Sequence, residues 1–180
     1  MIMDYSEAIS KYKSDYKLKL AIKNKAIIKI SRGIYSDKPV ANELVSICKS
    51  YPNAIVTMDS AFYYYNLTDV IPQAVCLASV RDSYKIKSDH IKQTFQPIKV
   101  FGRGKVIIKT KEGIINIYSR ERLLIEIIRK RNSIPLDYYK EIINNYRLIK
   151  DDLEMDKIEE YALMFRNYDK IFDVIQKEVF

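Results

Sequence analysis

A run of alternating residues, Ile27-Ile28-Lys29-Ile30-Ser31-Arg32, meets a glycine at 33 and resumes as Ile34-Tyr35-Ser36-Asp37. The chain has only four glycines in 180 residues, so one placed between two extended stretches is informative. Glycine accepts φ > 0 and lets two short strands reverse without a Cβ clash. The stretch therefore predicts a small basic hairpin with Lys29 and Arg32 on its exposed side. A lysine-studded helical pattern lies just upstream. Helix followed by basic hairpin is the layout of a winged helix-turn-helix, which presents both elements to duplex DNA. An ordinary β-turn beside a charged helix would be written in the same letters.

Tyr5, Ala8, Ile9 and Tyr12 fall at i, i+3, i+4 and i+7, one face of a short helix over 4–12. Ser14 and Asp15 are N-cap candidates for a second helix, 14–24. That helix turns Leu18, Ala21 and Ile22 inward and leaves Tyr16, Lys17, Lys19 and Lys23 on its other faces. In a major groove, Ser14, Tyr16 and Lys17 near its start would meet base edges first. Lys19, Lys23, Lys29 and Arg32 would meet phosphate, adding salt-dependent affinity but little sequence information. Any exposed helix, however, is commonly coated with lysine.

The net charge is +8, and it is segregated. Residues 1–38 hold nine Lys/Arg against four Asp/Glu, and residues 81–111 hold nine against two; the stretches between and after are near neutral. Heavy lysine usage alone does not produce two blocks, which suggest a surface facing a polyanion. The second block includes Arg81, Lys85, Lys87, Arg103, Lys105 and Lys109, interleaved with Tyr84, Phe95 and Phe101. It reads either as a further nucleic-acid surface or as the polar face of a sheet packed on helices.

Beyond residue 38, Pro39 is expected to open a helix over 39–50 with Val40, Leu44, Ile47 and Cys48 as its apolar stripe. A strand over 54–58 follows, then a helix 61–65 capped by Asp59 or Ser60. Further strands are expected at 74–80, 95–101, 106–110 and 114–118, the last two forming a hairpin across Lys111-Glu112-Gly113. Four helices complete the chain, at 122–130, 137–148, 154–166 and 168–178, and short loops between amphipathic helices imply a bundle. The fold class is α/β (α+β): an abbreviated winged helix at 1–37, then a mixed-sheet domain at 38–180 with a helical C-terminal part.

The motifs of catalysis are sparse. One histidine, His90, and two distant cysteines, Cys48 and Cys76, do not make a metal site. No glycine-rich phosphate loop is present. Asp59-Ser60 after a strand has the order of an exposed nucleophile but lacks the glycines of a nucleophile elbow. A metal-dependent nuclease would carry Glu-x-Lys on a strand, and Lys111-Glu112-Gly113 breaks that pattern. The expectation is a protein without enzymatic activity or cofactor. No apolar run approaches membrane-spanning length, no signal peptide is apparent, and the cysteines read as buried thiols in a reducing compartment. The expected location is the cytoplasm.

With Ile30-Ser31-Arg32-Gly33-Ile34-Tyr35 in place, the sequence resembles the AbiEi family of abortive-infection antitoxins and their AbiGi-like relatives. The likeness runs on through Ile55-Val56-Thr57-Met58-Asp59-Ser60-Ala61, Asn66-Leu67, Val75-Cys76-Leu77-Ala78 and Ile117-Tyr118-Ser119-Arg120-Glu121-Arg122-Leu123. The resemblance implies the antitoxin of a type IV toxin–antitoxin pair in phage defence. Such a protein would repress its own operon through the winged helix and counter a nucleotidyltransferase-like toxin, without necessarily forming a stable complex with it. The competing expectation is an interaction module that neutralises its partner by contact through the 121–180 helices, without DNA binding. Family members often place three helices ahead of the wing, and this sequence has room for two.

Overall fold

A computed structural model describes all 180 residues. The chain is mixed α/β, with two sheets and nine α-helices. It divides into two compact units, residues 1–54 with 107–116, and residues 55–106 with 117–180. The first unit thus runs on past the expected boundary at residue 37 and recruits a second, distant segment.

The first unit begins with a strand that the helical periodicity of 4–12 hid, β1 (Ile2–Asp4). Asp4 then caps α1 (Tyr5–Tyr12) in a reciprocal capping box with Glu7. Lys13 ends that helix in the left-handed region at φ 65°, a conformation L-residues adopt at a cost of about 1–2 kcal/mol and glycine adopts freely. Lys13→Gly is therefore expected to stabilise the protein by about 1 kcal/mol, read as a higher urea midpoint; an unchanged or lower midpoint would contradict it.

Ser14 caps α2 (Asp15–Lys23), its Oγ accepting the Lys17 amide hydrogen at 3.2 Å. Two strands follow, β2 (Ile28–Ser31) and β3 (Ile34–Ser36), joined through Arg32-Gly33 with Gly33 at φ +76°. The sheet order is β1-β3-β2, so the N-terminal strand occupies the flank opposite the wing. The chain has two helices rather than three before its ribbon, and β1 completes the small core instead.

Register fixes the two faces of this sheet, because directly paired residues point the same way. Tyr35 pairs with Met3 on one side and Lys29 on the other. Met3 and Tyr35 pack with Ala8 of α1, Leu18 of α2 and Ile27 just ahead of β2, joined by Ile9, Tyr12, Ala21 and Ile22. The opposite face carries Ile2, Ile34 and Ser36, all buried, and α3 (Glu43–Ser50) packs against β1 and β3. The expected start of α3 at Pro39 is wrong. Asn42 caps it, accepting the Val45 amide hydrogen at 3.1 Å, so Val40 lies outside the helix and 82% exposed.

Glu112 fastens the distant segment to this unit. Its carboxylate accepts the Asn42 amide at 2.8 Å and the Lys38 ammonium at 3.2 Å, and its carbonyl accepts the Ile2 amide at 3.0 Å. The first two contacts hold the Glu112 carboxyl below its ordinary range. The two carboxylate contacts are at full strength at neutral pH and weaken as the pH falls through that depressed value, while the carbonyl contact to Ile2 does not titrate.

The second sheet has the order β6-β5-β4-β8-β7, built from β4 (Ile55–Val56), β5 (Val75–Val80), β6 (Ile91–Gln96), β7 (Lys105–Lys109) and β8 (Ile114–Tyr118). The tip of the β7–β8 hairpin belongs to the first unit. β4 runs antiparallel to β5 and parallel to β8, and β5 runs parallel to β6. Two expectations need correcting here. The strand sought at 95–101 lies at 91–96, because Pro97 cannot continue a ladder and instead precedes the short helix α5 (Ile98–Phe101). The helix sought at 61–65 is α4 (Met58–Tyr64), which starts earlier than Asp59 or Ser60 could cap it. Ser60 is 4% exposed and its Oγ accepts the Cys76 amide hydrogen at 2.9 Å, so it joins α4 to β5.

Helices α6 (Arg120–Lys130), α7 (Leu136–Leu148), α8 (Met155–Leu163) and α9 (Tyr168–Glu178) match the four expected segments closely. α6 is their centre, packing against α4, α8 and α9, and every residue from Glu121 to Ile128 is buried. Its expected one-sided stripe is in fact burial all round.

Candidate nucleic-acid interface

The face of α2 turned away from its core carries Tyr16, Leu20 and Lys23, at i, i+4 and i+7. Tyr16 is 75% exposed and Leu20 45%, and Lys17 and Lys19 flank them in solvent. The exposed tip of Tyr16 and the leucine beside it can offer apolar contact to base edges or thymine methyl groups. Leu20 lies off the inward face of Leu18, Ala21 and Ile22, so the apolar periodicity that marks the helix gives it no signal.

The wing differs from the expected half-buried hairpin. All four residues of β2 are exposed while all three of β3 are buried. The reason is position: β3 is central in the sheet and β2 is its edge. A register shift between Lys29 and Ser31 leaves Ile30 outside the regular pairing, and such bulges twist an edge strand. Lys29 shares the sheet face of Tyr35, the face that packs against α1 and α2. The wing cation and the α2 helix therefore lie on one side of the sheet. Arg32 occupies the turn itself, exposed beside Gly33, and a Cβ added at Gly33 would meet nothing within 4 Å.

Ion pairing separates the candidate cations. Within this unit the pairs join Lys11 and the N-terminus to Asp37, Lys38 to Glu112, Lys49 to Glu7, and Lys19 to Asp15 at 2.7 Å. Lys19 thus already has an acid partner on its own helix, and its ammonium is held above its ordinary value by the hydrogen bond to that aspartate. Lys17, Lys23, Lys29 and Arg32 are left unpaired and solvated. Ser14 is committed to its cap.

The second basic block does not form one patch. Arg81, Lys85 and Lys87 sit in the loop leading into β6, whereas Arg103 and Lys105 precede or begin β7, with Lys109 further along that strand. The sheet order places β6 and β7 at its opposite edges, four strand spacings or about 19 Å apart. Arg103 is also paired with Glu160 at 3.5 Å. No three His, Cys, Asp or Glu side chains gather where they could hold a metal ion, and no helix is long and apolar enough to cross a membrane.

No protein-family model and no curated protein matches the chain.

Proposed function

We propose that this protein is a cytoplasmic DNA-binding autorepressor and the antitoxin of a type IV abortive-infection system. In this reading α2 enters the major groove, Tyr16 and Lys17 approach base edges, and Lys23, Lys29 and Arg32 neutralise phosphates. The observation that carries it is the placement of Lys29 on the same sheet face as α2, with four unpaired cations on the helix and ribbon. The antitoxin part rests on the resemblance of Ile30–Tyr35 and the later motifs to the AbiEi family. A nucleotidyltransferase-like toxin would be its functional counterpart.

Operator binding measured across salt concentrations tests the proposal. Lys29→Ala and Arg32→Ala should each make the slope of log affinity against log salt shallower by about one unit. Lys19→Ala should change it less, because Asp15 already occupies that charge. Slopes unchanged by Lys29→Ala and Arg32→Ala would remove the wing from DNA binding.

A further inference from the structure

The second unit contains a cavity of about 790 Å³ outside the carboxyl end of β4. Cys76 of β5, its register partner Lys92 of β6, and Thr94 line it. Met58, Asp59, Lys130, Ile134, Pro135 and Tyr138 also line it. Pockets with apolar walls and a few convergent polar groups are where small molecules bind.

Two independent features mark this cavity. The first is its rim. Val70 and Ile71, 52% and 72% exposed, sit at the mouth in a loop that is tied down rather than loose. Glu141 accepts the Thr68 hydroxyl at 2.7 Å and the Asp69 amide at 3.1 Å, and Asn145 donates to the Leu67 carbonyl at 3.0 Å. An ordered loop thus holds two large apolar side chains in water. The second is backbone strain. Met58, in the lining, has φ 45°, a region that non-glycine residues occupy at a cost and that clusters at functional sites.

The charges select the ligand. Asp59 is the one acid in the lining; its oxygens lie 3.4 Å from the Tyr138 hydroxyl, 3.8 Å from the Cys76 sulfur and 3.9 Å from the Lys92 ammonium. Burial, with Asp59 beside it, pushes the Cys76 thiol up, so the lining presents a neutral S–H there. Lys92 and Lys130 against Asp59 leave the cavity one positive charge in excess.

We propose that this cavity binds a small organic monoanion, its apolar body against Val70, Ile71, Ile134 and Pro135 and its anionic group at Lys92 and Lys130. The site uses none of the residues of the proposed DNA interface, so either can fail without the other.

Fluorescence titration of the full chain with anilinonaphthalene sulfonate, and with its uncharged parent phenylnaphthylamine, tests the site. The sulfonate should bind saturably, about fivefold more tightly than the neutral probe, and be displaced by naphthalene carboxylate. Lys92→Ala with Lys130→Ala should abolish the preference for the anion, and Ile71→Ser should weaken both probes about fivefold. Ile71 and Lys92 are exposed and Lys130 is half-buried, and an unchanged melting temperature checks that each variant folds. Absence of saturable sulfonate binding, equal affinity for the two probes, or variants that bind as wild type would overturn the proposal.

Discussion

Glu126→Leu is expected to cost about 3–5 kcal/mol of folding stability, because it strands a buried guanidinium. Glu126 is 1% exposed and Arg122 0%. Arg122 Nη2 donates to Glu126 Oε1 at 2.6 Å, and Arg129 Nη1 donates to Oε2 at 3.2 Å. The remaining Arg122 nitrogens, Nε and Nη1, have no hydrogen-bond partner. Only the rings of Tyr118 and Phe165, each centred 5.2 Å from the guanidinium carbon, offer further compensation. Removing the carboxylate takes away the one acceptor that Arg122 has. Replacing both residues, Arg122→Met with Glu126→Leu, should restore stability to within about 1 kcal/mol of wild type or exceed it, since a well-packed apolar pair avoids the desolvation cost altogether. Urea unfolding of the wild type, both single variants and the double variant closes the cycle. A loss below about 1 kcal/mol for Glu126→Leu would mean that the guanidinium finds another acceptor.

Gly104→Ala is the second large effect, and Gly33→Ala is its control. Both glycines sit at φ +76°, so both substitutions incur the left-handed penalty of about 1–2 kcal/mol. At Gly33 nothing lies within 4 Å of the added Cβ, and the penalty should stop there. At Gly104 the new methyl would lie 2.6 Å from the Cβ of Arg122 and 2.9 Å from its Cγ. Arg122 cannot swing aside, because it is enclosed and held by Glu126. Overpacking should therefore bring the total to about 3 kcal/mol. Equal urea midpoints for the two variants would show that the α6 core yields more than its packing suggests.

These two sites also explain where sequence reasoning failed. Periodicity located α1, α2 and the four C-terminal helices because their apolar residues recur at helical spacing, and Ser14 and Gly33 marked a cap and a turn by local chemistry. It failed on α6: charged letters at 121, 122 and 126 look like a solvated face, and only tertiary packing shows them enclosed. β1 was hidden for a related reason, since three residues carry too little pattern to compete with the helix they precede. Residue spacing likewise could not show that the second basic block would fall on opposite edges of a sheet, because strand order is not written in strand sequence. At the candidate interface the residue types were readable in advance. The pairing of Lys19 with Asp15, and the face shared by Lys29 and Tyr35, were not.

The first unit draws on two separate stretches of chain, with Glu112 reaching back to Ile2, Lys38 and Asn42. Its helices and ribbon leave the ribosome ahead of the segment 107–116, and the contacts that close the unit must wait for that segment. During that interval the Ile2 amide and the N-terminal turn of α3 lack their partners. A nascent chain interrupted before residue 107 would thus carry the basic helix and ribbon without the clasp that completes their unit, leaving it exposed to proteases.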